Sequence, residues 1–418
     1  MRYRIEKAAN KGMAQAIPSK SAAHRWLIVA ALSGLDYGDR LKGLSEDVDA
    51  TRECLVEIRT SLDGAAGLNG AAGRSGVLKL RVRESGSTLR FLLPLAAALG
   101  LNADFICEGK LADRPLAELK AALEERGCRF EQPAEGAIGI RGRLSAGEFR
   151  IPGNVSSQYV SGLIFALPLL EGDSCIVIEG ELESRPYVDM TLAAVRAAGI
   201  EVEETEAGFE IKGGQKYALE SLPEIEGDWS SAANWIVLDA LNKARVEDYK
   251  EIIVLGLDEN SLQGDKAIRE YVKLLDKKME TNGYSKKVDV IDVRNTPDLV
   301  PLLAVLACAR EKGCVTRIEN AGRLRFKESD RLESTAAMIR SLGGRVEEGE
   351  DYLLIDGQVR LDGGEVDSYG DHRIVMAAAV AAAICENPVV LDGAEATRKS
   401  YPGFFEDFAS LGGVFTEA

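Results

Sequence analysis

The chain repeats one hydrophobic pattern six times, in which a short polar or glycine-bearing turn leads directly into an apolar run of helical length. Regular spacing of this kind indicates an internal structural repeat. The steps are 67, 69, 74, 68 and 74 residues when counted from Pro18, Ser85, Asn154, Asp228, Thr296 and Gly370. The six segments are PSKSAAHRWLIVAAL, SGSTLRFLLPLAAALG, NVSSQYVSGLIFALPLL, DWSSAANWIVLDAL, TPDLVPLLAVLACA and GDHRIVMAAAVAAAI.

Between the apolar runs lie six segments with the periodicity of amphipathic helices, most of them ending at glycine before a short β-like run. A helix that is apolar on every side must be buried, so the apolar helices should pack together inside sheets and outer helices. The pattern therefore predicts an α/β fold of two similar domains with three units each. The amphipathic segments are ATRECLVEIRTSL, PLAELKAALEERGCRF, VDMTLAAVRAAGIEVE, DKAIREYVKLLDKKM, RLESTAAMIRSLGGRVE and FFEDFASLGGVF, and strand candidates include VLKLRV, CIVIEG and GFEIKG.

The division between the two domains is expected near residues 222–227, where the third unit ends. We assign residues 18–226 to the first domain and residues 1–17 with 227–418 to the second. If the inner helices are parallel and the two domains face each other, six helix N-termini line one cleft. Such a cleft would be a favourable site for anions.

Basic side chains stand at the start of the first apolar helix, where the positive end of the helix dipole disfavours them. Lys20 and Arg25 become favourable there if an anion binds between them and the helix. The alternative is that they extend into solvent or pair with Glu46 or Asp47. Similar positions in the other units favour the anion site, since they carry Arg90, Arg114, Ser156, Ser157, Gln158, Lys327, Arg331 and Arg373.

Composition excludes several classes of protein. The formal net charge of −16 argues against a nucleic-acid surface, which requires a basic patch. The apolar runs fall short of the ~18 residues that span a bilayer, and the first residues lack a signal peptide's apolar core, so we expect a cytoplasmic protein without membrane contact. The seven cysteines have no ligand spacing, so neither disulfides nor a metal is expected.

Ten short motifs follow one another from Lys20 to Lys399. They are PSKSAAHR, SGSTLR, LADRPL, VSSQY, SRPYVD, GDWSSA, TPD, FKESDRL, YGDHR and ATRKSYP. In type and order they resemble the signatures of the 5-enolpyruvylshikimate-3-phosphate synthase family. The fold that this resemblance implies is two similar domains, each an inside-out α/β barrel of three βαβαββ units around buried parallel helices.

The resemblance implies transfer of the enolpyruvyl group of phosphoenolpyruvate to the 5-hydroxyl of shikimate 3-phosphate, with release of phosphate, in aromatic amino acid biosynthesis. It implies no cofactor, and we expect a monomer with these two anions as partners. The first domain should carry the shikimate-phosphate side and the second the phosphoenolpyruvate side. Matching positions for shikimate 3-phosphate are Lys20, Ser21, Arg25, Ser156, Ser157, Gln158, Ser184, Asp298 and Lys327. Matching positions for phosphoenolpyruvate are Lys20, Gly86, Arg114, Gln158, Arg331, Arg373 and Lys399.

This reaction requires proton transfers, because the hydroxyl loses a proton as it attacks C2 while C3 first gains a proton and later loses one. Asp298 is the candidate base for the hydroxyl and Glu328 the candidate for the C3 proton. Lys20 would assist the departing phosphate. The competing interpretations are a helix cap for Asp298 and a surface pair with Arg331 for Glu328.

The chain departs from the family pattern at Ser19, which follows Pro18 directly, and at Glu84, Ser87, Arg323 and Trp229. The changes beside Gly86 leave the fit of phosphoenolpyruvate analogues such as glyphosate open, and Arg323 could add a phosphate contact.

Two other functions are considered. UDP-N-acetylglucosamine enolpyruvyl transferase shares fold and chemistry but carries a cysteine shortly before its Arg-Pro; residues 109–113 contain none, and Cys107 lies too far back. A non-catalytic anion-binding relative is the other, and the presence of Asp298 and Glu328 speaks against it.

Overall fold

The computed structural model describes residues 1–8, 11–66, 76–243, 245–246, 249–276 and 288–418. These form two compact units. The N-terminal unit comprises Lys20–Ile225, and the C-terminal unit comprises Met1–Ser19 together with Glu226–Ala418. Each unit has its own hydrophobic core, which includes Leu27 and Phe165 in the first and Trp235 and Phe404 in the second.

All six apolar runs form helices, as predicted, and nearly all of their side chains are buried. Their first turns carry polar caps where the sequence places serine or aspartate, as at Ser85, Ser156 and Asp371. In the N-terminal unit the inner helices are α1 (Lys20–Leu32), α3 (Gly86–Ala98) and α5 (Ser157–Ala166). In the C-terminal unit they are α7 (Trp229–Lys243), α9 (Val300–Cys308) and α11 (His372–Ala381).

The six amphipathic segments also form helices, and they alternate along the chain with the buried ones. The end of the fourth predicted segment, residues 277–279, lies outside the described residues. The outer helices are α2 (Glu46–Ala66), α4 (Ala117–Glu124), α6 (Arg185–Ala197), α8 (Ile268–Leu275), α10 (Arg331–Ser341) and α12 (Phe404–Ser410).

Four sheets share one topology, in which a parallel pair of strands is extended by two antiparallel strands. In the N-terminal unit, one contains β3 (Leu78–Arg83), β4 (Ala103–Cys107), β6 (Ala137–Gly142) and β5 (Cys128–Glu131), in that order. The other contains β7 (Glu148–Pro152), β8 (Ser174–Glu179), β10 (Gly208–Ile211) and β9 (Val202–Thr205). The three predicted strands therefore form.

The C-terminal unit repeats this topology with strands that are distant in sequence. One sheet contains β12 (Val288–Asp292), β13 (Val315–Glu319), β15 (Leu353–Asp356) and β14 (Val346–Glu348). The other contains β16 (Gly364–Asp367), β17 (Val389–Asp392), β1 (Arg2–Lys7) and β18 (Val414–Glu417), so that the chain's first strand completes its last sheet. A parallel pair joins β2 (Gly12–Gln15) to β11 (Ile252–Leu255).

The mixed α/β architecture built from repeated units is therefore confirmed. No helix among the described residues is both long and apolar enough to span a membrane.

Candidate active site

In the N-terminal unit, Lys20 is the first residue of α1 and forms an ion pair with Asp47 on α2. The Lys20 Nζ to Asp47 Oδ2 distance is 2.9 Å, and both side chains are largely buried. The alternative in which Lys20 pairs with a nearby carboxylate is thus the arrangement in the structure. This pairing does not remove Lys20 as an anion ligand, because an incoming phosphate can compete with one carboxylate for the ammonium group.

Arg25 does not extend to solvent but lies buried on α1. Its guanidinium donates to the Ser21 carbonyl at 2.6 Å, the Tyr187 carbonyl at 2.7 Å and the Thr191 Oγ1 at 2.8 Å. These acceptors are neutral, and burial lowers the pKa of Arg25 to about 10. A buried cation held only by neutral oxygens is well suited to gain from an anion.

Gly86 opens α3 and lies beneath two guanidinium groups. A Cβ at this position would stand 2.5 Å from Arg90 Nη1 and 3.0 Å from Arg114 Nη1, so a side chain here would push both guanidinium groups away from the start of the helix. Arg90 also donates to the Gln158 Oε1 at 3.2 Å, and Gln158 Nε2 donates to the Ser87 Oγ at 2.8 Å. The predicted residues Gly86, Arg114 and Gln158 are therefore neighbours, and Ser87 helps to orient Gln158.

The remaining predicted residues of this unit lie at the starts of two helices. Ser156 caps α5 and accepts from the Gln158 backbone N–H, and Ser157 is buried in the first turn. Ser184 precedes α6 in the left-handed region, with φ 54°, and its side chain does not cap the helix. A buried serine in this costly conformation is often retained for function.

In the C-terminal unit, the candidate catalytic carboxylates belong to one network of ion pairs. Asp298 accepts from Arg331 Nη1 at 2.8 Å and Arg373 Nη2 at 3.2 Å, and Lys327 Nζ lies 3.8 Å away. Glu328 accepts from Arg331 Nη2 at 2.5 Å. The pair between Glu328 and Arg331 is buried rather than on the surface, and Asp298 binds cations instead of capping a helix.

The charges of this network govern the ionisation of its members. Burial opposes the negative charge of Asp298, but Arg373, Lys327 and Arg331 outweigh it and hold the pKa of that carboxyl well below 3.8. Burial also lowers the pKa of Lys327 to about 8, against the opposing attraction of Asp298. Burial works against the charge of Arg331 as well, yet Asp371, Glu328 and Asp298 raise its pKa above the usual value. The network therefore keeps both its carboxylates and its arginines charged, and Lys327 is the member whose charged form burial disfavours.

Two further basic residues complete the predicted set. Arg373 is buried in the first turn of α11, and its Nε has no hydrogen-bond partner among the described residues, which leaves a buried donor for a ligand. Lys399 is buried at the end of the short helical turn Ala394–Lys399. The predicted residues thus fall into two sets, one in each unit, which are called the N-terminal and the C-terminal half-site. The first set is Lys20, Ser21, Arg25, Gly86, Arg114, Ser156, Ser157, Gln158 and Ser184, and the second is Asp298, Lys327, Glu328, Arg331, Arg373 and Lys399.

The departures from the family pattern have structural roles. The Glu84 carboxylate packs against Gly109, whose φ is +55°. Arg323 donates to the Arg294 carbonyl. Trp229 is fully buried at the start of α7, where its indole N–H donates to the Asp258 carbonyl at 3.2 Å.

Sequence reasoning missed the residue that links the two arginines of the C-terminal half-site. Asp371 is fully buried, accepts from Arg331 Nε at 2.8 Å and caps α11 through the Arg373 N–H at 2.9 Å. Its position directly before an apolar helix in YGDHR was the available signal. Among the described residues, no cluster of His, Cys, Asp or Glu has the composition to hold a metal ion.

The repeated units, with cations and hydroxyls at the starts of buried helices, define an α/β protein suited to binding small polyanions. Among solved structures, EPSP synthase from Acinetobacter baumannii has this fold, with a TM-score of 0.72 and 21% sequence identity over 99% of both chains.

Sequence comparison identifies the family. The family model described as EPSP synthase (3-phosphoshikimate 1-carboxyvinyltransferase) matches residues 7–408. A 3-phosphoshikimate 1-carboxyvinyltransferase from Clostridium kluyveri is 42% identical over 97% of this chain and 96% of its own length. The enzyme of that name from Clostridium acetobutylicum is 41% identical over 98% of this chain and 97% of its own. The chain belongs to the EPSP synthase family.

Proposed function

We propose that this protein transfers the enolpyruvyl group of phosphoenolpyruvate to the 5-hydroxyl of shikimate 3-phosphate. The products are 5-enolpyruvylshikimate 3-phosphate and phosphate. The observation that carries the proposal is the ion-pair network of the C-terminal half-site, in which two candidate proton-transfer groups, Asp298 and Glu328, contact the cations Arg331 and Arg373. A site that only binds anions has no need of these carboxylates, which compete with the ligand for the cations.

Both half-sites contribute residues to each ligand in this proposal. Cations and serine hydroxyls suit the phosphate of shikimate 3-phosphate, and guanidinium forks suit the carboxylate and phosphate of phosphoenolpyruvate. The first substrate is assigned to Lys20, Ser21, Arg25, Ser156, Ser157, Gln158, Ser184, Asp298 and Lys327. The second is assigned to Lys20, Gly86, Arg114, Gln158, Arg331, Arg373 and Lys399.

The proposed reaction is an addition followed by an elimination. In this proposal Glu328 first takes up a proton from solvent. The 5-hydroxyl oxygen then bonds to C2 while Asp298 takes the hydroxyl proton and Glu328 delivers its proton to C3. The tetrahedral intermediate then returns a C3 proton to Glu328, and the C2–O bond to phosphate breaks with Lys20 stabilising the leaving group. Asp298 is ionised in the ligand-free chain and so has room for the proton. Its basicity rises when phosphoenolpyruvate replaces it on the N–H groups of Arg331 and Arg373, because those cations, with Lys327, are what lower its pKa.

We also propose the finer features of architecture that accompany this activity. Each domain, residues 18–226 and residues 1–17 with 227–418, forms an inside-out α/β barrel of three βαβαββ units. Both half-sites act on one pair of substrates in a cleft between the domains. The enzyme works as a monomer in the cytoplasm.

The test of the proposed function is phosphate release from phosphoenolpyruvate with two acceptors in parallel. Release with shikimate 3-phosphate and none with UDP-N-acetylglucosamine is the expected result. Release with the nucleotide sugar alone would assign the chain to the sibling reaction. No release with either acceptor, from protein that still binds phosphoenolpyruvate, would identify a non-catalytic binder.

A further inference from the structure

Asp371 is the most enclosed carboxylate of the C-terminal half-site. Its side chain is fully buried, and it accepts four hydrogen bonds. Two come from Arg331, from Nε at 2.8 Å and from Nη2 at 3.2 Å. The others come from the Ser329 hydroxyl at 3.1 Å and the Arg373 backbone N–H at 2.9 Å. One carboxylate therefore fixes the side chain of one arginine and the backbone of the other.

The Arg331 guanidinium is held along two different edges. Its Nε edge faces Asp371, whereas Nη1 bonds to Asp298 and Nη2 also bonds to Glu328. The side chain of Asp371 is 0% exposed, compared with 25% for Asp298 and 13% for Glu328. A ligand that arrives from solvent can displace the two partly exposed carboxylates, but it has no access to the buried one.

Within the ion pairs that surround Arg331, positive and negative charges are equal in number. Arg331, Arg373 and Lys327 supply three positive charges, and Asp371, Asp298 and Glu328 supply three negative ones. When an anion takes up the outward edge of Arg331, the guanidinium needs one permanent counter-charge to stay desolvated and in place. Asp371 is positioned to provide it.

We infer that Asp371 is a positioning residue for phosphoenolpyruvate binding, holding Arg331 and Arg373 fixed while the ligand replaces Asp298 and Glu328 on their outward N–H groups. Asp371 does not touch the substrate itself. The inference rests on the proposed function, because it assigns phosphoenolpyruvate to these two arginines. It adds a division of labour to that proposal, in which one buried carboxylate anchors the cations and two accessible carboxylates exchange with the ligand.

The test is Asp371→Asn, which retains a good helix cap for α11 but replaces the anchoring charge by an amide. Without the anchor, Arg331 shifts toward Asp298 and Glu328, which then compete more strongly with the ligand. Because a misplacement of about 1 Å can cost about 10²-fold, we expect the KM for phosphoenolpyruvate to rise about 10- to 100-fold. The KM for shikimate 3-phosphate should change less than about threefold, since seven of its nine assigned residues lie in the N-terminal unit and only Asp298 and Lys327 belong to this network.

Asp330→Asn is the matched control. Asp330 also caps a helix, accepting from the Glu333 N–H at 3.0 Å, and also pairs with an arginine, Arg325, at 2.8 Å. It contacts neither arginine of the half-site in the described network. Its substitution should therefore leave both KM values within about twofold of the parent, as expected for a surface-accessible ion pair.

The outcomes separate the inference from the proposed function. Turnover by the parent with shikimate 3-phosphate tests the function before any variant is made. Calorimetric titration then compares the phosphoenolpyruvate affinity of Asp371→Asn with that of Asp330→Asn and does not require turnover. An unchanged phosphoenolpyruvate affinity in Asp371→Asn, or an equal loss for both substrates, would overturn the inference. If that variant does not fold, Ser329→Ala removes one hydrogen bond to Asp371 and should raise the phosphoenolpyruvate KM alone by about 2- to 10-fold. An unchanged KM there would overturn it equally.

Discussion

Arg25 in the N-terminal unit and Arg331 in the C-terminal unit are both buried, but their charges are stabilised in different ways. Arg25 donates to two backbone carbonyls and a hydroxyl, and burial lowers its pKa to about 10. Arg331 donates to three carboxylates, which raise its pKa despite burial. Arg25 therefore keeps its positive charge in reserve for an anion, whereas Arg331 already binds three carboxylates and must exchange partners when an anion binds.

This difference also separates binding from chemistry. The carbonyls and the hydroxyl around Arg25 do not ionise near neutral pH, so that part of the N-terminal half-site can orient an anion but is not suited to act as an acid or base. The carboxylates around Arg331 can do both. Each carboxylate that an anion displaces becomes a stronger base, because it loses a neighbouring positive charge. The binding of phosphoenolpyruvate would thus prepare the groups that the reaction needs.

The largest expected effect is on Glu328. Glu328→Gln keeps the size of the side chain but removes the acid and base proposed for C3, so turnover should fall about 10²- to 10⁴-fold. Exchange of deuterium from solvent into the methylene of recovered phosphoenolpyruvate should fall at least as much. Glu333→Gln, an exposed change in the first turn of α10, the helix that begins three residues after Glu328, is the control and should change neither rate. Undiminished deuterium exchange in Glu328→Gln would assign the C3 proton to another group.

The two arginines can be compared directly by replacing each with methionine. Arg331→Met leaves three carboxylates around an apolar side chain, so the free energy of unfolding should fall by about 3–5 kcal/mol. Arg25→Met leaves only neutral oxygens without a donor and should cost about 1 kcal/mol. Urea denaturation measures both. Equal losses would show that the carboxylates around Arg331 do not depend on it for their counter-charge.

Arg25→Met should have a larger effect on ligand binding than on stability. Arg25→Met removes a cation that has no carboxylate partner within 4 Å among the described residues, so its loss should appear mainly in the affinity for shikimate 3-phosphate. Removing a buried charged partner commonly costs 2 kcal/mol or more, which is roughly 30-fold in affinity. Titration with shikimate 3-phosphate measures the affinity of Arg25→Met, and its loss of binding free energy is then compared with its loss of unfolding free energy.

The sequence predicted the scaffold better than the charge pairing. The six buried helices follow from apolar residues on every side, a property of each local segment, and they occur where predicted. Asp371 lies forty residues from Arg331 in the chain, and no local pattern encodes that pairing. Lys20 illustrates the intermediate case. Its pairing with Asp47 was one of two interpretations, and only the folded arrangement of α1 and α2 decides between them for the ligand-free chain.

A smaller effect is expected on the pH dependence of kcat/KM, through Lys327. Burial lowers the pKa of Lys327 to about 8. The charged ammonium is the form that binds an anion, so kcat/KM for shikimate 3-phosphate should fall about tenfold per pH unit above that value. Lys327→Arg, which stays charged, should move the decline to higher pH. A decline at the same pH in both proteins would assign the titration to a different group.

The last expected effect is on stability in mild acid, where His24 in the N-terminal unit and Asp265 in the C-terminal unit should act in opposite directions. In the N-terminal unit, His24 is buried and its Nδ1 lies 2.7 Å from the Thr51 Oγ1. Burial, with the charges of Lys20 and Arg25, holds the pKa of His24 well below 6.5. The unfolded chain therefore gains a proton near pH 6.5 that the folded chain does not, so stability present above pH 6.5 is lost as the pH falls. The loss should approach about 1.4 kcal/mol per pH unit.

Asp265 in the C-terminal unit has the reverse sign. Burial, followed by the charge of Asp298, raises its pKa to about 6, so the folded chain takes up a proton first and gains stability as the pH falls below 6. The parent protein shows the sum of both effects. Urea denaturation from pH 7 to pH 5 gives the slope of the unfolding free energy against pH. The contribution of His24 is the difference in this slope between the parent and His24→Asn. The asparagine amide can occupy the position of Nδ1 beside Thr51 and does not titrate. The variant should lose less stability on acidification than the parent does, whatever its stability at pH 7. Equal slopes in both proteins would show that His24 is protonated in the folded chain. The positive charge around Arg25 would then not keep His24 neutral.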